Sequence, residues 1–264
     1  RELTVLFSDI RGFTTMSERM AAEELTRFLN EYLTPMTHVL QRHGGTLDKY
    51  MGDAIMAFFG APTPFDDHAI QGCLTAMEML QELDRLRRKW RQEGKPEIDI
   101  GIGLNTGKMR VGDMGSETMR NYTVLGDNVN LGSRLEGLNK EYGTNTIVSE
   151  TTFRAAGGKV FGRELDFVAV KGKREPVRIF EVMGMGEPAA WQQTLIATFE
   201  QGLAAYRKQE WEPAIELFRR CLLLKKEATG QPDKTSHTYL ERVRLMQQNP
   251  PGGDWDGVWR MTKK

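Results

Sequence analysis

The chain has 264 residues, in which 36 Lys and Arg balance 36 Asp and Glu, and its mean hydropathy is −0.48. This length predicts one sizeable domain and a small second one, and the zero formal charge argues against a nucleic-acid partner held by counterion release. No apolar stretch approaches the ~20 residues of a membrane helix, and two Cys without metal-ligand spacing fit a reducing compartment, so we expect a soluble, cytoplasmic domain.

Hydrophobic periodicity divides the first hundred residues into six elements. The pattern predicts the order β–α–β–β–α–β, at about residues 3–8, 25–40, 46–50, 54–59, 67–93 and 98–105. Pro35 should kink the first helix or mark a boundary, and Asp66 or Asp67 should cap the second. The order predicts an α+β fold with a ferredoxin-like core, in which both helices cover one face of an antiparallel sheet.

The rest of the chain adds strands and helices to this core. A hairpin (about 108–114 with 121–125), a helix at 127–142 and strands near 159–169 and 176–184 complete a domain over 1–186. A small all-helical tail over 187–264 follows, with Gly202, Ala214 and Phe218 spaced as in a tetratricopeptide helix pair. Because a single pair cannot bury both faces, we expect the tail to dock on the main domain or on a second subunit.

Two aspartates lie where predicted strands end, each close to a glycine. Asp9 closes the first strand, and Asp53 follows Gly52 at the corner between the second and third strands. Taken singly, either residue could be a cap or a turn former. If the strands are neighbours in one sheet, their ends bring the carboxylates together, and such a pair can hold Mg²⁺ or Mn²⁺ with substrate phosphates as further ligands.

Three segments carry a resemblance to a known family: Phe7 to Thr14, Lys49 to Asp53, and Thr123 to Glu136. Together they closely resemble the class III nucleotidyl cyclase catalytic domain, over roughly residues 2–184. The resemblance implies conversion of a nucleoside triphosphate to its 3′,5′-cyclic monophosphate and pyrophosphate. It also implies a head-to-tail homodimer whose active sites lie at the subunit interface.

The resemblance also implies roles for individual residues. Asp9 and Asp53, assisted by the Ile10 carbonyl, would be ligands of two Mg²⁺ or Mn²⁺ ions per site, because in-line attack of the ribose 3′-hydroxyl needs charge neutralisation. Arg134 of the other subunit would stabilise the transition state, and Asn130 would orient the ribose. The terminal phosphates would meet the backbone amides of Arg11, Gly12, Phe13 and Thr14 and the side chain of Lys171 or Lys173, a pair that could equally form a simple turn.

Lys49 and Thr123 would select the base. Lys49 can only donate hydrogen bonds, which suits adenine N1 and opposes the N1–H group of guanine. The resemblance places Thr123 against the exocyclic amine, where many relatives have aspartate, and a threonine hydroxyl can also donate. These residues predict an adenylate cyclase that binds ATP, with some guanylate cyclase activity as an alternative.

Other interpretations of the sequence remain. A diguanylate cyclase shares the core, but Met51-Gly52-Asp53-Ala54 replaces its glycine-rich acidic hairpin. A catalytically silent cyclase-like module for dimerisation or regulation is a second alternative, and a peptide-binding role of the tail is a third. The first residue is Arg1, so we also expect that an upstream regulatory or membrane-bound sensor region has been removed.

Overall fold

The computed structural model describes residues 1–169 and 175–260. In chain order its elements are β1 (Glu2–Ile10), α1 (Phe13–Ser17), α2 (Ala22–Arg42), β2 (Thr46–Met51), β3 (Ala54–Phe59), α3 (His68–Glu93), β4 (Ile100–Lys108), β5 (Arg110–Gly115), β6 (Arg120–Leu125), α4 (Asp127–Tyr142), β7 (Thr146–Ser149), α5 (Glu150–Ala155), β8 (Val160–Ala169), β9 (Val177–Met185), α6 (Ala190–Arg207), α7 (Trp211–Thr229), α8 (Lys234–Gln248) and β10 (Trp259–Arg260).

Eight strands form one sheet in the order β10-β8-β9-β7-β4-β1-β3-β2, and β5 pairs with β6 in a separate hairpin. β1 runs antiparallel to β3 and β4, and β2 runs antiparallel to β3. With α2 and α3 these strands make the predicted core, so the ferredoxin-like α+β prediction is confirmed. The four core strands are antiparallel, as predicted, and α4 is a crossover that adds β7 to the sheet parallel to β4.

The two faces of β1 are covered by different helices. Leu6 is fully buried in a core that α2 and α3 share, as predicted. Val5 and Phe7 point to the opposite face, where α4 packs. Contact there is so close that a Cβ added to Gly132 would lie 2.7 Å from Val5, and one added to Gly103 would lie 2.1 Å from the Glu136 amide nitrogen. Glycine at these positions therefore allows α4 to lie directly on β1 and β4.

Local signals were misleading at several places in the core. α2 continues through Pro35 to Arg42, so no boundary occurs there, because burial of Tyr32 and Met36 outweighs the missing backbone hydrogen bond. Asp67 precedes α3 but accepts a hydrogen bond from the Gln71 side chain and caps no backbone amide. The short elements β7, α5 and β10 lie outside the predicted set, because two to six residues are too few to show a period.

The helical tail docks on the main domain, which is one of the two expected arrangements. A single core joins Leu135 of α4 and Leu165 of β8 to Phe199 and Phe218 of the tail. A Cβ on Gly202 would lie 2.9 Å from the Phe218 ring, so this glycine permits close packing of α6 on α7. The tetratricopeptide likeness and the division at 186 and 187 stay predictions.

Within residues 1–169 and 175–260, no helix is both long and apolar enough to cross a lipid bilayer.

Candidate active site

Sheet topology brings the two predicted metal-binding aspartates together. Asp9 lies at the end of β1, opposite Gly101 of β4, and Asp53 lies in the β2–β3 turn after Gly52, whose φ is +68°. Because β3 pairs with β1, this turn reaches the end of β1, and the Asp53 carboxylate accepts a hydrogen bond of 3.2 Å from the Ile10 amide. The site is thus built by three adjacent strands.

The two aspartate carboxylates repel each other electrostatically. Burial, and then the neighbouring Asp9 carboxylate, raise the pKa of Asp53 to about 7. In the described part of the chain, no Lys, Arg or His side chain forms an ion pair with Asp9 or Asp53. Two close carboxylates lacking a cation of their own are a donor set that fits a hard divalent cation.

A third acid, Glu136, faces the same region and was missed by sequence reasoning. A Cβ added to Gly101, the partner of Asp9 in the sheet, would lie 2.5 Å from the Glu136 carboxylate. Burial and then the charge of Asp9 raise the pKa of Glu136 to about 7, although Arg11 opposes the shift. Across residues 1–169 and 175–260, no three His, Cys, Asp or Glu side chains are grouped to hold a metal ion, so Glu136 adds negative potential beside the aspartates.

The predicted phosphate-binding segment is a tight turn into α1. Gly12 has a φ of +68° and precedes the first turn of this helix, where the amides of Phe13 and Thr14 have no helical carbonyl to bind. The Arg11 amide donates to the Asp99 carbonyl at 2.8 Å. Arg11 is therefore excluded from the predicted set of free amides, because its amide continues the β1–β4 ladder.

Lys49 and Thr123, predicted to read the base, are brought together by a residue that sequence reasoning missed. Asp48 lies in β2 with a fully buried side chain. Its Oδ2 accepts a hydrogen bond from the Thr123 hydroxyl, and its Oδ1 lies 3.0 Å from the Lys49 ammonium. The two predicted side chains thus form one cluster, with β6 held against β2.

Asn130 and Arg134 lie one turn apart on α4. The start of this helix is fixed to β4, because Asn105 donates to the Asn128 carbonyl at 2.8 Å and Asn128 donates to the Lys108 carbonyl at 2.9 Å. Asn130 is exposed and Arg134 is half-buried. Among the hydrogen bonds and ion pairs of the described residues, none joins either side chain to the aspartates or to any other group.

Lys171 and Lys173, the remaining predicted phosphate contacts, lie outside the described residues.

Comparison with known proteins identifies the family. Residues 1–184 match the adenylate and guanylate cyclase catalytic domain. An adenylate cyclase of Anabaena cylindrica is 42% identical over 190 residues, which are 69% of this chain but only 37% of that protein. The chain therefore spans little more than a third of this relative.

Two solved structures resemble the fold of this chain. The guanylyl cyclase Cya2 is 40% identical with a TM-score of 0.66, and the adenylyl cyclase CyaB from P. aeruginosa is 36% identical with a TM-score of 0.65. Each match covers 72% of this chain and 95% of the other. Since one acts on each base, overall similarity does not choose between them. The chain belongs to the adenylate and guanylate cyclase catalytic domain family.

Proposed function

We propose that the chain is an adenylate cyclase, which converts ATP to 3′,5′-cyclic AMP and pyrophosphate. The observation that carries this proposal is the juxtaposition of Asp9 and Asp53 within a cyclase fold, with no cationic partner among the described residues. A structural pair of acids would be neutralised by protein side chains. An unneutralised pair suits a site that is completed by metal and substrate.

The two aspartates, with the Ile10 carbonyl, would hold two Mg²⁺ or Mn²⁺ ions. Bound there, the ions supply charge that activates the ribose 3′-hydroxyl and neutralises the phosphates. The free amides of Phe13 and Thr14, presented by the turn at Gly12, would donate hydrogen bonds to the terminal phosphate oxygens. Lys171 would add a positive charge near the departing pyrophosphate.

Arg134 and Asn130 would act on a nucleotide bound by the aspartates of a second copy. Among the described residues, neither side chain forms a hydrogen bond or an ion pair, with Asp9 and Asp53 of its own chain or with any other group. An arginine held ready in this way can stabilise charge that grows on the α-phosphate, and the amide of Asn130 can orient the ribose. This arrangement supports a homodimer with shared sites.

Adenine is favoured over guanine by Lys49. Its ammonium can donate to adenine N1 but can accept nothing from the N1–H group of guanine. A guanylate cyclase is the second candidate, because the guanylyl cyclase Cya2 is as similar overall as the adenylyl cyclase CyaB. A catalytically silent module is less well supported, since both aspartates, Asn130 and Arg134 are present.

The test begins with cyclic nucleotide formation from ATP and from GTP in Mn²⁺, where we expect ATP to be preferred. Asp53→Ala and Arg134→Ala are then mixed, each being inactive alone. Random exchange of subunits makes half of the dimers mixed, and each mixed dimer has one intact site out of two. About a quarter of the wild-type activity should therefore return.

A matched control distinguishes shared sites from other kinds of recovery. Mixing Asp53→Ala with Asp9→Ala places both lesions in the same half of each site, so no mixed dimer has an intact site and no activity should return. Recovery in this control, or none in the first mixture, would overturn the shared-site arrangement. Absence of product from wild-type protein with either nucleotide would favour the silent module.

A further inference from the structure

An irregularity in β2 gives one residue a position that a regular strand would not. Leu47 pairs with Ala57 and Lys49 pairs with Met56, so Asp48 is an extra residue in a β-bulge. A bulge breaks the alternation of side chains along a strand and re-aims them. Here the Asp48 side chain is 0% exposed, while the adjacent Lys49 side chain is 45% exposed.

The buried carboxylate of Asp48 has two partners of different kinds. Oδ2 accepts a hydrogen bond from the hydroxyl of Thr123, which lies on β6 in the separate hairpin. Oδ1 accepts no hydrogen bond from the described residues, so the Lys49 ammonium at 3.0 Å compensates its charge electrostatically. Because burying an unpaired charge is costly, Asp48 holds both neighbours in place.

The hydrogen bond to Asp48 decides what Thr123 can offer a ligand. A threonine hydroxyl has one proton to donate and two lone pairs that accept. An ionised carboxylate can only accept, so the proton is committed to Asp48 and only lone pairs face outward. Thr123 is therefore an acceptor towards a bound base, although a free threonine could also donate.

The resulting pattern is one acceptor beside one donor. Adenine presents its C6 amine, a donor, next to N1, an acceptor, and so complements Thr123 and Lys49. Guanine presents an acceptor oxygen at C6 next to N1–H and opposes both groups. A site whose polar groups are left unpaired discriminates strongly between such analogues.

We propose that Asp48 is a positioning residue for purine selection: it fixes the Thr123 hydroxyl as an acceptor and holds the Lys49 ammonium beside it, so the site takes 6-aminopurine nucleotides and rejects 6-oxopurine nucleotides. The proposal rests on the function proposed above. In this arrangement Thr123 cannot donate a hydrogen bond to the base. The sequence alone left such donation open, and with it some activity on GTP.

The test is the ratio of kcat/KM for ATP to kcat/KM for GTP in Mn²⁺. Asp48→Asn keeps the shape of the side chain, removes the ion pair with Lys49 and offers the Thr123 hydroxyl a donor as well as an acceptor. We expect the ratio to fall about tenfold, the equivalent of one hydrogen bond of fixed polarity. Asp113→Asn is the matched control, an exposed acid on β5 opposite Tyr122, and should leave the ratio within about twofold.

A double-mutant cycle separates positioning from simple structural support. Thr123→Val should lower the ratio by itself, and Asp48→Asn added to it should lower the ratio much less than in wild type, because the two side chains act as a unit. Equal losses with ATP and GTP, or independent effects in the cycle, would overturn the proposal. If Asp48→Asn does not fold, Asp48→Ser gives the same ratio measurement. Wild-type protein without cyclase activity would instead refute the proposed function.

Discussion

The chain contains two pairs of buried or half-buried aspartates with opposite surroundings. At the sheet edge, Asp9 and Asp53 face each other, and the Asp53 carboxylate accepts a hydrogen bond from a backbone amide. Under the tail, Arg163 of β8 donates to both oxygens of Asp233 at 2.8 and 2.7 Å, and Arg242 of α8 donates to Asp166 at 2.6 Å. Among residues 1–169 and 175–260, no cationic side chain pairs with the acids of the first region, whereas each acid of the second has an arginine.

The pKa of an aspartate is therefore shifted in opposite directions in the two regions. Burial alone would raise the pKa of both Asp53 and Asp233. The Arg163 guanidinium reverses this for Asp233 and holds its pKa well below the usual value, whereas the like charge of Asp9 adds to the effect of burial on Asp53. The contrast shows that the protein can neutralise a buried acid where the fold requires it. This contrast is what we expect if Asp9 and Asp53 bind a ligand such as a metal ion, as proposed above.

The largest expected effect tests the unneutralised pair. Asp53→Asn should lower cyclase activity with Mn²⁺ and ATP by about 10³-fold or more, because a metal ligand and its charge are lost. The fold should remain intact, since the substitution removes repulsion and breaks no ion pair. Activity and the circular dichroism spectrum of the purified variant check both statements. Retention of more than about a tenth of the activity would mean that the pair does not hold the catalytic metal.

The ion pair of Asp233 with Arg163 should respond in the opposite way, because its loss should destabilise the fold. Asp233→Ala leaves the fully buried Arg163 with Glu181 as its remaining acid, and breaking such a pair costs about 3–5 kcal/mol. Urea unfolding measures this loss in the free energy of unfolding. Asp84→Ala is the matched control, because its ion pair with Arg87 is exposed and should contribute less than about 1 kcal/mol. Equal effects of the two substitutions would remove the distinction between the regions.

The core and the aspartate pair could be predicted because both follow from local periodicity and connectivity. The order of six elements predicts that β1 lies beside β3, and that neighbourhood alone brings Asp9 to Asp53. Asp48 could not be predicted in the same way. Leu47-Asp48-Lys49 has the appearance of an ordinary strand segment, and the bulge that buries Asp48 depends on pairing with β3.

The remaining omissions are long-range contacts. Glu136 lies beside the aspartates because Gly101 and Gly103, two residues apart on one face of β4, leave room for α4; these glycines were the available signal. Arg163 and Asp233 are separated by 70 residues, and no periodicity connects positions so distant. Sequence reasoning therefore predicted that the tail docks but not the ion pairs by which it does.

The smallest expected effect concerns the pH dependence of stability without metal. The pKa of Asp53 is about 7 in the folded protein and 3.8 when unperturbed, so between these values the folded state binds more protons than the unfolded state. Stability from this residue is therefore present at low pH and is lost as pH rises towards 7. Because the group is partly exposed and screened by solvent, the loss should be about 1–2 kcal/mol. Thermal unfolding of wild-type protein and Asp53→Asn in EDTA measures it: the variant should gain stability relative to wild type between pH 5 and pH 8, and added Mn²⁺ should close the gap. A constant difference across this range would show that neither burial nor the Asp9 carboxylate raises the pKa of Asp53 in the folded protein.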